Sequence, residues 1–246
     1  MLFALFADLH ANLDALRACL NHAEAHGAER FAFLGDLVGY GAEPTAVIEL
    51  VAEYAGRGAV VIRGNHDAAV SDGGRGLDDL AHEAVEWTRN ALSSAQKEFL
   101  AKLPLIVRED DLCFVHSSAE RPERWVYVQT NGAARESIEA ANATYTFAGH
   151  VHEQVLYFHT PTGKTAPFRP TSGSVVPVPS HRRWHAIVGS VGQPRDGNPA
   201  AAYALFDSIK EEMTFFRVAY DHLRAAQKIR AAGLPEALAQ RIERGM

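Results

Sequence analysis

The sequence contains few of the residues and patterns that mark secreted, membrane or repeat proteins. Its 246 residues include two cysteines, Cys19 and Cys113, both in apolar surroundings, which predicts reduced core thiols and no disulfide framework. No run of 18 apolar residues occurs, nothing is repeated or of low complexity, and no basic leader precedes the first apolar run. We therefore expect neither export nor a membrane span, and predict a cytoplasmic protein.

A surplus of positive charge is also absent. The 24 Lys and Arg residues stand against 30 Asp and Glu residues, a formal net charge of −6. This balance leaves no basic footprint, so no stable binding to nucleic acid is expected. A hydrophobic content of 47% over this length suffices for a well-buried core. Since no linker divides the chain, we predict a single domain spanning residues 1–246.

Five short apolar runs, bounded by glycine or polar residues, have the composition of buried strands. They are residues 3–7, 31–34, 60–62, 112–115 and 145–148. The polar residues that follow them are Asp8 and His10, then Asp36, then Asn65, His66 and Asp67, then His116, then His150 and His152. One such cluster would be an ordinary turn, because Asn and Asp often stabilise turns. Five clusters in the same relative place favour one site at a sheet edge.

Helical patterns separate the first runs. Leu13, Leu16 and Leu20 recur at three- and four-residue spacing, which predicts an amphipathic helix over one sheet face. The alternation of strand and helix predicts a parallel α/β layer. Residues 71–76 are interpreted as a flexible break. Residues from about 77 to 103 then form a helical excursion, either packed on the core or acting as a lid.

The second half of the chain has a different character. Between residues 153 and 219 the pattern is mostly strand and turn, with a hairpin turn at residues 161–164. Two short helices split by Gly233 follow, and Pro235 is expected in the first turn of the second. Parallel units followed by hairpins predict an α/β fold.

The five clusters carry a family resemblance. Their order, Asp-x-His, Gly-Asp, Gly-Asn-His-Asp, His and Gly-His-x-His, resembles the calcineurin-like metallophosphoesterases, and within them the small bacterial phosphodiesterase-type branch. The resemblance covers almost the whole chain, including Gly39-Tyr40-Gly41 and residues 189–196. It implies a four-layer αββα sandwich of two mostly mixed β-sheets flanked by helices. It also implies a metal-dependent phosphoric ester hydrolase.

The resemblance further implies two divalent metal ions. Imidazole, carboxylate and amide groups suit first-row ions; we expect manganese, with iron, nickel, cobalt or zinc as alternatives. Asp36 would bridge the ions. The remaining ligands implied are Asp8, His10 and His152 for one ion, and Asn65, His116 and His150 for the other. Two ions against Asp8, Asp36 and a hydroxide leave about one net positive charge, which favours a small phosphate ester.

The same resemblance implies in-line attack by a metal-bridging hydroxide, with His66 as the general acid. Asp67 either orients His66 or only stabilises the turn. Arg195, in a turn rich in Gly and Pro, is a candidate for binding a second phosphate or a non-reacting ester oxygen, with a surface loop role as the alternative. Tyr40 is a second candidate for substrate binding. Stacking of Tyr40, Trp125 or Tyr127 on a nucleobase competes with ordinary packing.

One departure from relatives narrows the expected substrate. Protein phosphatases of this family carry Asp-Arg three and four residues after the bridging Asp, where this chain has Gly39 and Tyr40. We therefore expect a small phosphate ester, a diester in first place. Alternatives are a nucleotide or dinucleoside-polyphosphate hydrolase, a broad phosphomonoesterase, and a silent binding scaffold such as the retromer subunit of this fold. Assembly into a homo-oligomer stays open.

Overall fold

The apolar runs predicted from the sequence form the strands that lead into the site. The computed structural model describes residues 1–74 and 77–246. Its strands are β1 (Leu2–Phe6), β2 (Arg30–Phe33), β3 (Val60–Val61), β4 (Ile106–Glu109), β5 (Leu112–Val115), β6 (Tyr145–Ala148), β7 (Gln154–His159), β8 (Thr165–Phe168), β9 (Val175–Pro177), β10 (Arg183–Val188), β11 (Ala201–Asp207) and β12 (Glu212–Val218). The helices in these ranges are α1 (Leu13–Ala25), α2 (Pro44–Gly56), α3 (Asn65–Asp72), α4 (Asp79–Ala91), α5 (Ser94–Lys102), α6 (Asn131–Ala141), α7 (His222–Ala231) and α8 (Glu236–Arg244).

The strands form two mixed sheets of six strands each. The first has the order β3-β2-β1-β11-β12-β9, and the second has the order β4-β5-β6-β10-β7-β8. In the first sheet β1, β2 and β3 run parallel, and in the second β5, β6 and β10 do. The carboxyl ends of parallel neighbours meet at the same edge. The sheets therefore bring the ends of the predicted runs together.

Three packed layers hold the sheets in place. Between the sheets lie aromatic side chains, such as Phe147, whose ring centre is 5.5 Å from that of Phe114 and 5.1 Å from that of Phe206. Helices α1 and α2 cover the outer face of the first sheet. Helix α6 covers the outer face of the second. The predicted fold, two mixed sheets flanked by helices, is confirmed.

The structure differs from the sequence prediction in several local elements. Asn65–Asp72 forms helix α3, which was not expected because its eight residues have no apolar stripe. Ser71 and Asp72, assigned to a flexible break, therefore end a helix, while residues 75–76 of that break lie outside the described residues. The hairpin turn predicted at residues 161–164 joins β7 to β8, which pair antiparallel, whereas strand β9 was not expected. Pro235 is the residue before α8, not a residue of its first turn.

A helical layer formed by α4, α7 and α8 lies beside the site. Ala81 and Ala84 of α4 pack with Ala226, Leu238 and other residues of α7 and α8 in one buried cluster, which Tyr40 joins. A hydrogen bond joins α4 to the end of α7, because the indole of Trp87 donates to the carbonyl of Ala232 at 3.1 Å. None of the helices in the described ranges is both long and apolar enough to cross a membrane.

Candidate metal centre

The strand-end loops bring all seven predicted ligands to one place. Asp8 follows β1, Asp36 follows β2, and His116 follows β5. Two groups of side chains in the described residues have ligand atoms mutually within 4.8 Å: Asp8, His10, Asp36 and His152 in the first cluster, and Asp36, His116 and His150 in the second. Asn65 joins the second cluster, since its Oδ1 lies 3.1 Å from Nε2 of His116.

Asp36 is common to both clusters. Its Oδ2 lies 3.4 Å from Nε2 of His116 and 3.7 Å from Nε2 of His10. Its Oδ1 accepts the backbone N–H of His66 at 2.8 Å. Both oxygens of the carboxylate are therefore placed by the fold, and Oδ2 faces the two clusters at once.

The hydrogen bonds of the four histidines settle where each ring carries its proton. The outer nitrogen of each ring lies next to a backbone carbonyl oxygen, which can only accept, so that nitrogen must be the N–H donor. The pairs are His10 with Val38 at 3.2 Å, His116 with Leu34 at 2.7 Å, His152 with Gln193 at 2.6 Å, and His150 with Trp125 at 2.9 Å. In the neutral rings the inner nitrogens then bear lone pairs.

Those inner nitrogens face one another. Nε2 of His10 lies 3.2 Å from Nε2 of His152, and Nε2 of His116 lies 3.2 Å from Nδ1 of His150. When both rings of such a pair are neutral, the two lone pairs repel each other unless a cation lies between or beside them. Buried imidazole lone pairs, two carboxylates and an amide oxygen form a donor set that fits first-row divalent ions. The residues present therefore fit a pair of metal ions.

Unusual backbone conformations hold the ligands. Five of the seven have φ between +45° and +68°, a left-handed conformation that costs a residue with a side chain about 1–2 kcal/mol. They are Asp8, His10, Asp36, His150 and His152. A Cβ at Gly64 would clash with the backbone nitrogen and side chain of Asp36, so only glycine fits between β3 and α3. Such strain is typical of functional sites.

The electrostatics of the clusters are dominated by burial and by the carboxylates. Burial raises the pKa of Asp8 to about 7, although His116 opposes the shift. Burial would also raise the pKa of Asp36, but His116 and His66 outweigh it and hold that pKa well below its usual range. For His116, burial is outweighed by Asp36 and Asp8, which raise its pKa to about 9. This negative field is one that attracts a cation.

The remaining cluster histidines behave differently. Burial lowers the pKa of His10 and of His152 well below the usual range, and it lowers the pKa of His150 to about 3. These three rings are therefore neutral near pH 7. Neutral imidazole is the form that binds a metal.

His66 lies beside the clusters, and its imidazole belongs to neither of them. Its ring centre is 5.0 Å from that of His10 in an edge-on arrangement, and 4.4 Å from that of Tyr40. Its Nδ1 is buried without a hydrogen-bond partner among the described residues. A Cβ at position 39 would lie 2.5 Å from this nitrogen, so Gly39 gives the ring its space.

Asp67 bonds to backbone groups. Its Oδ1 accepts the N–H groups of Leu37 and Val38 at 2.9 and 3.2 Å, and its Oδ2 accepts that of Gly64 at 2.9 Å. Burial and the charge of Asp36 raise the pKa of Asp67 to about 7, against these bonds. The contacts support a role in fixing the turn between β3 and α3, the second of the two roles considered for Asp67.

The two predicted substrate-binding residues lie on the His10 side. Tyr40 is 6% exposed, and its ring centre is 4.6 Å from that of His10. Arg195 is half-buried; its guanidinium carbon lies 5.9 Å from the ring centre of Tyr40, and its Nη2 donates to Gln193 at 3.1 Å. Their contact with substrate stays a prediction.

On the His150 side a cavity of about 280 Å³ adjoins the site. Its lining includes Asn65, Arg124, Trp125, Tyr127 and His150. The ring of Tyr127 stacks on that of His150 with centres 4.0 Å apart. Sequence reasoning considered the aromatic residues only for stacking on a base; it missed the carbonyl of Trp125 as the partner of His150, because no sequence pattern marks a carbonyl.

The chain matches known proteins along most of its length. Residues 1–211 match the calcineurin-like phosphoesterase superfamily domain. The uncharacterized protein MJ0912 of Methanocaldococcus jannaschii is 31% identical over 249 residues, which cover 98% of this chain and 97% of that protein. These two matches rest on sequence alone and agree with the resemblance drawn from the five clusters.

Solved structures agree with them. The metallophosphoesterase from Sphaerobacter thermophilus is 34% identical, with a TM-score of 0.87 and 100% of both chains covered. The hypothetical protein PH1004 from Pyrococcus horikoshii OT3 shares the fold, with a TM-score of 0.79 at 20% identity, over 100% of this chain and 98% of that one. The chain thus belongs to the calcineurin-like phosphoesterase superfamily and is a metal-dependent hydrolase of phosphoric esters.

Proposed function

We propose that the chain hydrolyses small phosphate esters, phosphodiesters in first place, at a centre of two divalent ions. The observation that carries the proposal is the position of Asp36, whose Oδ2 faces His10 in one cluster and His116 in the other. A carboxylate shared in this way suits a bridging ligand. Two bound metal ions would supply Lewis acidity towards phosphoryl oxygens and a water activated near neutral pH.

The ligands follow from the two clusters. Asp8, His10, Asp36 and His152 would hold one ion; Asp36, Asn65, His116 and His150 would hold the other. The neutral amide of Asn65 matters for the charge balance, because a further carboxylate would cancel the positive charge that favours phosphate. We expect manganese as the metal, since imidazole and carboxylate together suit it, with iron, nickel, cobalt or zinc as alternatives.

We assign proton donation to His66. As the bond from phosphorus to the leaving oxygen breaks and a bond to the water oxygen forms, a protonated His66 gives its proton to the departing alkoxide. The hydrogen bond from the backbone N–H of His66 to Asp36 fixes the start of α3 beside the clusters. Burial lowers the pKa of His66, and the negative charge of a bound phosphate acts in the opposite direction. Asp67 then supports the turn that carries His66.

The surroundings favour a small substrate. Gly39 and Tyr40 occupy the places that hold Asp and Arg in protein phosphatases of the family, which argues against a phosphoprotein. Arg195 can hold a second phosphate or a non-reacting ester oxygen through its guanidinium. Tyr40, with little exposed surface, would contact substrate only at its edge.

A specific observation favours a second candidate, hydrolysis of nucleotides or dinucleoside polyphosphates. The cavity beside Asn65 is lined by Trp125 and Tyr127, and aromatic faces of this kind stack on planar leaving groups. The broad phosphomonoesterase and the silent scaffold remain as outcomes of the same test.

The test is hydrolysis of matched aryl phosphate mono- and diesters, and of defined nucleotides, by metal-stripped protein refilled with Mn²⁺. We expect metal-dependent cleavage with the diester preferred. His181→Ala, at an exposed histidine far along the chain from the clusters, serves as the control. Monoester or nucleotide preference would redirect the substrate assignment. Two bound ions without any turnover would overturn the proposal and favour the scaffold.

Three further expectations belong to the same proposal. The chain should act as one unit over residues 1–246, because α4 packs against the C-terminal helices in one buried cluster. It should act in the cytoplasm, and it should not bind nucleic acid stably, since the net charge is −6. Gel filtration of the intact chain, with and without Mn²⁺, decides whether copies associate.

A further inference from the structure

Two arginines approach the ring of Tyr40 from separate parts of the chain. The guanidinium carbons of Arg195, in the loop after β10, and of Arg241, in α8, each lie 5.9 Å from the ring centre of Tyr40. That ring is 4.4 Å from the ring centre of His66 and 4.6 Å from that of His10. Both cations therefore lie one side chain away from the proposed proton donor and from a proposed metal ligand.

Neither arginine is neutralised by a carboxylate of the described residues within ion-pair distance. Arg230 of α7 gives the contrast: it forms ion pairs with Glu236 and Glu243, each at 2.6 Å. Arg195 and Arg241 are half-buried instead and keep guanidinium donors without a counter-ion. Planar guanidinium donors without a counter-ion suit a phosphate group.

The fold holds the side chain of Arg195, and the helix that carries Arg241, in position. Arg195 donates from Nη2 to Oε1 of Gln193, which is fully buried. The end of α8, which carries Arg241, is tied to the loop of Arg195, because the N–H of Gly197 donates to the carbonyl of Gly245 at 2.8 Å. Side chains fixed before binding lose less conformational entropy when they bind an anion.

The charges around Tyr40 show what opposes an anion there. Burial raises the pKa of Tyr40; Arg195 and Arg241 act to lower it, whereas Asp36 and Asp78 act to raise it. Asp36 is committed to the metal centre. The carboxylate of Asp78 is exposed and caps α4 by accepting a backbone N–H. Among these charges, Asp78 is therefore the one carboxylate outside the metal centre.

We propose that Arg195 and Arg241 form a second anion-binding subsite, so that preferred substrates carry a phosphate group in addition to the phosphoester that is hydrolysed. The inference rests on the proposed function and deepens it by naming a substrate class. It also concerns a part of the chain outside the family domain match, since α8 lies beyond residues 1–211.

The experiment compares two esters that differ by one phosphate: thymidine 5′-(p-nitrophenyl phosphate) and its 3′-phosphorylated form. For the Mn²⁺-loaded protein we expect kcat/KM to favour the 3′-phosphorylated ester. Arg241→Gln should lower that preference about tenfold, mainly through KM, because charge-assisted bonds to phosphate are lost. Arg241→Lys, which keeps the charge and loses the planar fork, should fall in between.

Arg244→Gln, at an exposed arginine of the same helix, is the matched control and should leave the preference unchanged. Thermal unfolding of each variant checks that α8 still packs. An unchanged preference in Arg241→Gln, or an equal loss on both esters, would overturn the subsite and leave Arg241 as a packing partner of Tyr40.

A second readout separates this inference from the proposed function. Titration calorimetry measures the binding of thymidine 3′,5′-bisphosphate and of thymidine 5′-phosphate to the chelator-treated and the Mn²⁺-loaded protein. Tighter binding of the bisphosphate that Arg241→Gln removes supports the subsite even if neither ester is hydrolysed, an outcome that would overturn only the hydrolase. Equal binding of both by the wild-type protein would overturn the subsite alone.

Discussion

The two ligand clusters share Asp36 but differ in charge and in access. The first cluster has a second carboxylate, Asp8, and all of its members are buried. The second cluster has no carboxylate besides Asp36; its amide ligand, Asn65, is partly exposed and lines the 280 Å³ cavity. The negative charge is therefore concentrated in the buried first cluster, whereas the cavity gives access to the second cluster, which has less charge.

This difference indicates a division of labour. A buried site with two carboxylates has the charge to hold an ion against the loss of hydration. A site with one carboxylate and a neutral amide leaves more positive charge for a phosphate oxygen that approaches through the cavity. We infer that the first cluster chiefly retains its ion, whereas the ion of the second cluster is more accessible to a phosphate oxygen.

Asp36→Asn should weaken metal binding in both clusters at once, because both share this carboxylate. We expect metal content to fall from two ions per chain to one or fewer, and kcat to fall by at least about 10³-fold, at the upper end of what one lost electrostatic partner costs elsewhere. Metal analysis of the purified protein beside steady-state kinetics checks both. Retention of two ions would show that Asp36 is not shared.

His66→Gln should separate chemistry from metal binding. We expect kcat to fall about 10²–10⁴-fold, because the leaving oxygen loses its proton donor. Metal content should stay at the wild-type value, since His66 belongs to neither cluster. The loss should be large for an alkyl ester and small for a nitrophenyl ester, whose leaving group needs no proton. An equal loss for both esters would argue against proton donation by His66.

His185 provides a reference outside both clusters. It is fully buried, its Nε2 has no hydrogen-bond partner among the described residues, and burial lowers its pKa to about 4. The unfolded chain takes up a proton at this residue below about pH 6.5, and the folded chain does so only near pH 4, so stability falls as the pH drops between these values.

By pH 5 this loss should amount to about 2 kcal/mol, or 1.5 pH units at 1.36 kcal/mol each. His185→Gln should therefore lose less stability between pH 7 and pH 5 in denaturant unfolding than the wild-type protein loses. His181→Gln, at an exposed histidine, should behave like the wild type. An equal loss of stability between pH 7 and pH 5 in all three proteins would show that His185 does not cause it.

Asn65→Asp should make the second cluster more like the first. An added carboxylate should tighten metal binding and cancel positive charge at the substrate side, so we expect KM for a phosphodiester to rise about tenfold. Competition with a chelator measures the metal affinity, and steady-state kinetics measures KM. A lower KM would show that charge at Asn65 does not govern substrate binding.

The sequence predicted the part of the site that short local patterns determine. Asp8, Asp36 and His116 each follow an apolar run, and parallel pairing places the ends of such runs together, so local residues were enough to predict convergence. Arg241 was missed because it reaches Tyr40 through the packing of α8, two hundred residues further along the chain. Helix α3 was missed because glycines flank it and some of its buried residues are polar, so its sequence lacks the apolar period of a helix.

The carbonyl partners of the four cluster histidines have a consequence for variation and engineering. In many metal sites a carboxylate side chain orients each imidazole, and one substitution removes it. Here the main chain at Leu34, Val38, Trp125 and Gln193 does so. A substitution at these positions keeps the oxygen that fixes the ring as long as the backbone keeps its path. The path of the backbone thus determines the tautomer of each ring, and only a change that shifts the loops can alter it.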